Sequence, residues 1–170
     1  MNRLVGAGLR AQRKTALLVG EGLAEQAFLN HLKSIYVVRG SKQVSVKTAK
    51  GKGGAHVLEH THRQSLQAAY DQVGALLDTD TDWGDLQRQR ARRLGIEIFE
   101  ATPCLEALLL HTAGLPPPAT TPHCKRQFHQ RFGCEAHAAE LFGQHFSRPL
   151  LDSARLRVGT LERLIRFLQT

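Results

Sequence analysis

Two apolar runs, Ala16-Leu17-Leu18-Val19 and Leu76-Leu77, each end abruptly at carboxylates: Glu21 and Glu25 after the first, Asp78 and Asp80 after the second. Apolar residues in consecutive positions, closed by polar turn residues, read as strands buried on both faces, which points to the interior of a parallel sheet. The rest of the chain supplies the helices that such a sheet requires. Thr15 to Val19 reads as a buried strand, Gly20-Glu21-Gly22 as a turn, and Ala24 to Tyr36 as a helix with Ala24, Ala27, Phe28, Leu32 and Ile35 on one face. Gln43 to Thr48 alternates as a strand, Gly51-Lys52-Gly53-Gly54 is a loop, and His56 to Tyr70 is helix-like. Gln72 to Leu77 is the second buried strand, Trp83 to Leu94 an Arg-rich helix closed by Gly95, and Ile96 to Phe99 a short strand. Thr102-Pro103 is placed to open a further helix, Thr102 as N-cap and Pro103 at its first position. Strand and helix alternating in this way specify an α/β fold with a mainly parallel sheet flanked by helices.

In such sheets the functional crevice lies beyond the carboxyl ends of the strands, where Glu21 and Asp78 both fall. Residues i and i+2 of an extended chain point the same way, so Asp78 and Asp80 face one point if the strand continues through them. Carboxylates that converge repel one another, and a hard divalent cation with oxygen ligands relieves that repulsion. Glu25 is one helical turn beyond Glu21 and reaches the same place. The competing explanation for Asp78 and Asp80 is turn and cap chemistry, since short acids commonly follow strands.

The 170 residues suit one domain, and the 23 Lys and Arg against 15 Asp and Glu, a net charge of +8, favour an anionic partner, with nucleic acid ahead of a membrane. Cys104, Cys124 and Cys134 are an odd set at scattered spacing, which suits reduced thiols in the cytoplasm. Residues 1–14 form a basic segment with Arg3, Arg10, Arg13 and Lys14, without the apolar stretch of a signal peptide, and no later segment is long enough to span a bilayer. After Gly114 the pattern breaks at Pro116-Pro117-Pro118. A helical extension over residues 115–170 follows, packed on the α/β unit of residues 15–114, with helices expected near Cys134 to Phe146 and Leu161 to Leu168.

Leu17-Leu18-Val19-Gly20-Glu21-Gly22 with Glu25 and Phe28 resembles the opening strand, acidic turn and helix of TOPRIM domains, in particular the RloB-like branch. Lys52-Gly53-Gly54, Tyr70-Asp71-Gln72-Val73 leading into Asp78-Thr79-Asp80, and Ala101-Thr102-Pro103-Cys104-Leu105-Glu106 follow in the family's order. The last piece, continuing to His111, is similar to the branch's Asn-Pro-Cys-Phe-Glu-Leu-Trp-Leu-Leu-Leu-His motif. Thr102 replaces its Asn, Leu105 and Leu108 its aromatic pair, and Ala24 a usual Thr before Glu25. The resemblance covers residues 15–113 and implies a Rossmann-like TOPRIM domain with magnesium- or manganese-dependent phosphodiester chemistry, in a setting of bacterial defence against phage. It implies Glu21, Asp78 and Asp80 as catalytic residues and Glu21, Glu25, Asp78, Asp80 and Glu106 as the metal-binding set, with favourable placement in the dipole of a helix start as the competing explanation for Glu106. The implied partners are DNA or RNA and a separate ATPase, with a homo-oligomer also admitted. The alternative within the same resemblance is a regulatory or binding subunit that keeps the fold and acts through the ATPase.

Lys52 in its glycine-rich loop, and Arg88, Arg92 and Arg93 on the Arg-rich helix, are candidates to track a nucleic-acid backbone; a solvated surface is the plainer reading of each. The loop lacks the ending of a P-loop, and Gly20-Glu21-Gly22 lacks the third glycine of a dinucleotide site. His123, Cys124, His129, Cys134 and His137 hold enough nitrogen and sulfur for zinc but match no common paired spacing. His56 and His60 read as one solvated helix face, Trp83 as packing under the acidic loop, and Cys104 as a buried, inert thiol.

Overall fold

The computed structural model describes residues 12–170, so Arg3 and Arg10 of the basic segment lie outside the described residues. Four strands, β1 (Lys14–Gly20), β2 (Lys42–Thr48), β3 (Gln72–Asp78) and β4 (Glu97–Ala101), form one sheet in the order β2-β1-β3-β4, every pair parallel. They alternate with α1 (Leu23–Tyr36), α2 (Gly54–Ser65) and α3 (Asp85–Arg93), giving a Rossmann-like α/β architecture. Five helices follow β4: α4 (Leu105–Thr112), α5 (Thr121–Phe132), α6 (Leu141–His145), α7 (Arg148–Ala154) and α8 (Gly159–Gln169). No helix among the described residues is long and apolar enough to cross a membrane.

Strand periodicity divides the core in two. Ala16, Leu18, Leu76, Phe99 and Ala101 face one side, where α1, α4 and the helices after it pack. Leu17, Val19, Ala75 and Leu77 face the other, against Val57 and Leu58 of α2 and Ala91 of α3. Because the chain steps from β1 outward to β2 and then back across β1 to β3, right-handed crossovers place α1 and α2 on opposite faces. The carboxyl ends of β1 and β3 are therefore a topological switch point, where a crevice opens between diverging helices.

The C-terminal helices complete the first face. Leu161, Leu164, Ile165 and Leu168 of α8 are buried at helical spacing, and α8 packs on both α1 and β4. Lys42 pins the far end: its ammonium donates to the Phe167 carbonyl at 2.5 Å and to Gln72, and lies 4.8 Å from the Phe167 ring centroid. Burial, then the neighbouring Lys14, hold the Lys42 amine below its usual range.

Several boundaries differ from those expected. α2 stops at Ser65 instead of reaching Tyr70, because Asp71 accepts from the Thr15 amide (2.7 Å) and hydroxyl (3.0 Å), fastening the approach to β3 onto the start of β1. Thr102 is not an N-cap, nor Pro103 a first helical residue. The Pro103 carbonyl accepts from the Thr79 and Asp80 amides at 3.2 Å, so α4 starts only at Leu105, with Cys104 as N-cap. In the tail, α8 contains the expected Leu161–Leu168 stretch, whereas only Leu141–His145 of the stretch from Cys134 to Phe146 is helical. α5 and α7 were not expected, although Thr120, Pro122 and the left-handed Gly133 delimit α5 in the usual way.

Gly74 sits where β3 packs closely on its neighbours: a Cβ there would lie 2.8 Å from Cε2 of Phe99 and 3.1 Å from Cδ2 of Leu18. Phe99 in turn meets the edge of Phe167 with 5.6 Å between ring centroids, carrying the strain directly to α8. Gly74→Ala is expected to cost about 1–3 kcal/mol by overpacking. Urea unfolding followed by circular dichroism measures it, and an unchanged midpoint would contradict the contact.

Candidate metal centre

The acidic turn is built by close approach. A Cβ at Gly20 would stand 2.7 Å from Glu25 Cβ and 2.8 Å from the Gln26 amide nitrogen, so only glycine lets the first turn of α1 settle against the end of β1. Glu25 Oε2 accepts the Gly22 amide at 2.8 Å, closing that turn and fixing the carboxylate. Glu21 continues the β1–β3 pairing, its amide donating to Leu76 O at 3.0 Å, while its Oε2 accepts the Asp78 amide at 3.0 Å. These bonds tie the two strand ends together.

Asp78 is the last residue of β3 and lies on the same face as Gly74 and Leu76, the face covered by α1 and α4. Glu106, in the first turn of α4, arrives from the other side. Glu21, Glu25, Asp78 and Glu106 line one cleft of about 760 Å³, beneath the β2–α2 loop and the segment after α5. Asp78 Oδ1 is buried there without a hydrogen-bond partner. Burial, followed by the charges of Glu25, Glu21, Asp80 and Glu106, pushes the Asp78 carboxyl up to about 8. Burial is also the main force raising Glu25, opposed by hydrogen bonds from the Glu25 and Gly22 backbone and reinforced by Glu21 and Glu106.

Asp80 takes a different place from its expected pairing with Asp78. β3 ends at Asp78, the following amides turn toward Pro103 and Ala101, and the exposed Asp80 carboxylate accepts from the Thr121 hydroxyl at the start of α5. It is outside the cleft lining, although its charge is felt by Asp78.

None of Lys52, Arg88, Arg92 and Arg93 lines the cleft. Arg88 is held by Glu100 (2.6 and 3.2 Å) and Asp85 (3.0 Å), and Glu100 also accepts the indole N–H of the buried Trp83 at 2.7 Å. Arg93 lies beside Leu58 and Leu86 in a separate groove, and Arg92 beside Glu97 in another. The cleft instead takes Lys50 from the β2–α2 loop and Lys125, Glu135 and His137 from the tail, none of which the strand and motif patterns singled out for this site. Lys50 was within reach of the reasoning applied to Lys52, since both belong to one loop at the carboxyl edge. The tail residues carry no comparable spacing signal.

Among the described residues, no three or more His, Cys, Asp and Glu side chains are arranged to hold a metal ion as they stand. The chemistry of the donor set still fits a hard divalent cation: Glu21, Glu25, Asp78, Glu106 and Glu135 share a cleft, and Asp78 has a buried oxygen lacking any partner. Three of the tail's candidate zinc ligands are engaged separately: His123 with Thr120 (2.7 Å), Cys124 with Pro118 O (3.2 Å) and His129 with Glu135 (3.4 Å). Cys104 is buried, and that burial pushes its thiol up to about 12, which makes it a poor nucleophile. No protein-family model, curated protein or solved structure matches the chain.

A carboxyl raised in the folded state contributes stability that is complete below its unfolded value and lost as pH rises through its folded one. For Asp78 that loss runs from about 4 to about 8 and is complete above it. Asp78→Asn is therefore expected to stabilise the metal-free protein at pH 9 by roughly 1–2 kcal/mol, or roughly 2–8 °C in Tm, and to bring little gain at pH 4. Thermal melts of both proteins across this range, in chelator, check the sign. A gain independent of pH would contradict it.

Proposed function

We propose that this chain is a TOPRIM-type nuclease of RloB-like character that hydrolyses phosphodiester bonds with the help of Mg²⁺ or Mn²⁺. The observation that carries the reading is the partnerless buried Oδ1 of Asp78, set among Glu21, Glu25 and Glu106 at the switch point of a parallel sheet. Such an arrangement is costly without a counter-charge and suited to a cation with one. The sequence resemblance, read on residues 15–113, supports the same chemistry.

In this reading Asp78, Glu25 and Glu106 hold the cation, and Asp80, outside the cleft lining, contributes negative field through its charge. When bound, the cation supplies neutralisation of the phosphate and activation of water. Glu21 is held at the strand edge by the Asp78 amide through Oε2, which leaves Oε1 to ligate or to exchange a proton with the attacking or leaving oxygen. Gly20 and the Glu25–Gly22 bond keep α1 from drifting away from the strand ends, which holds Glu25 at the cleft. The setting implied by the resemblance is phage defence beside a separate ATPase.

Purified protein incubated with DNA and RNA and Mg²⁺ or Mn²⁺ is expected to cleave one of them, and chelator to stop the cleavage. Glu21→Gln and Asp78→Asn are each expected to lower the rate at least ~100-fold. Cleavage that persists unchanged in both variants would remove these residues from the reaction. Metal binding by calorimetry without cleavage, with or without an ATPase partner, would favour the regulatory-subunit reading instead.

A further inference from the structure

The sheet order places cations on either side of the acids. Lys50 follows β2, at one end of the order β2-β1-β3-β4; Glu21 and Asp78 end the two central strands; Lys125 is on α5, which packs against α4 and whose Thr121 bonds Asp80 just beyond β3. Both lysines are exposed, both line the acidic cleft, and among the described residues neither makes an ion pair.

Each is also held in place by its backbone. The loop carrying Lys50 is fastened to the acidic turn by Ala49 N–H to Gly20 O (2.9 Å) and Gly51 N–H to Glu21 O (2.7 Å). Lys50 itself adopts a left-handed φ of 62°, followed by Gly51, Lys52 and Gly53, all with positive φ. A non-glycine residue kept in that region costs free energy, which the surrounding structure offsets. Lys125 follows Cys124, which is buried beside Cys104 and Ala107, while Phe128 of the same helix enters the main core. The Thr121–Asp80 hydrogen bond adds a third attachment of α5 to the strand edge.

We propose that Lys50 and Lys125 bind the non-reacting phosphates on either side of the scissile one, so that the substrate is a polynucleotide strand crossing the carboxyl edge of the sheet from the loop after β2 to α5, beyond the end of β3. The scission point rests on the nuclease reading above; the binding path does not. A mononucleotide would engage one lysine, whereas a strand engages both. The tail is thereby a substrate-binding element through α5.

Fluorescence anisotropy of the full chain tests the path, with calcium in place of magnesium and labelled single-stranded DNA or RNA of about 12 nucleotides as probes. Lys50→Gln and Lys125→Gln are each expected to weaken binding by ~3- to 10-fold, and to make the dependence of log Kd on log salt shallower by about 0.7. Lys33→Gln, in the last turn of α1, is expected to leave the salt slope as it is. Melting temperatures of the variants are expected to match the parent, since both lysines are exposed. Unchanged affinity and slope in both cleft variants would overturn the proposal. So would an absence of oligonucleotide binding by the parent chain, or a mononucleotide that competes as well as the strand. A chain that does not cleave but shows both slope changes keeps the binding path and loses the nuclease reading; one that cleaves with unchanged slopes does the reverse.

Discussion

The contact between the first turn of α1 and the end of β1 sets the geometry of everything at the acidic edge. With no Cβ on Gly20, the helix begins within van der Waals reach of the strand, and Glu25 is carried to the point where β3 ends. The Glu21 carboxylate then bridges to the Asp78 amide, so β1 and β3 share a side-chain bond just where their ladder runs out. A larger residue at position 20 would move α1 and with it both the cleft and the main core, because Phe28, Leu29 and Leu32 of the same helix are fully buried. The site and the packing are one construction here, and neither can be altered alone.

That construction carries an electrostatic load. Placing Asp78 in a partly buried cleft near Glu25, Glu21, Asp80 and Glu106 raises its carboxyl by desolvation first and by repulsion second. Evolution could relieve this with an amide or an alcohol at no loss of packing. A carboxylate oxygen left buried without a partner is therefore difficult to account for by folding alone, and a cation ligand is the chemistry that answers it. By contrast, Glu100 is an acid fully accounted for by structure: Arg88 and Trp83 satisfy it and hold its carboxyl below the usual range.

The strands were legible because burial on both faces leaves an unbroken apolar run, and the acids at their ends were legible because nothing in packing asks for them. Glu21, Glu25, Asp78 and Glu106 line one cleft at the carboxyl edge of the sheet. Asp80 did not follow, since the i, i+2 rule holds only while the strand lasts, and the Pro103 carbonyl draws the chain aside one residue after Asp78. Nor could a local pattern have found where α5 lies. Only Cys124 and Phe128 of that helix are buried, so its apolar face is too thin to read, and its place over the cleft depends on α4, Asp80 and the core together. Lys50 and Lys52 are two residues apart, yet a run of positive φ angles decides which one faces the acids.

The same logic changes what the chain's charge means. A net +8 invites the idea of a broad basic face, and the arginines of α3 look like its center in the sequence. Folded, Arg88 belongs to Glu100 and Asp85, and Arg90 to Glu59. Such pairs contribute little stability where they are exposed, as Arg90–Glu59 is, but they do remove charge from the field a ligand would feel nearby. Lys50 and Lys125 count for more than their number because they stand beside carboxylates without being paired to them in the described structure. Their ammonium groups remain available to an anion at the one edge where the acids are gathered.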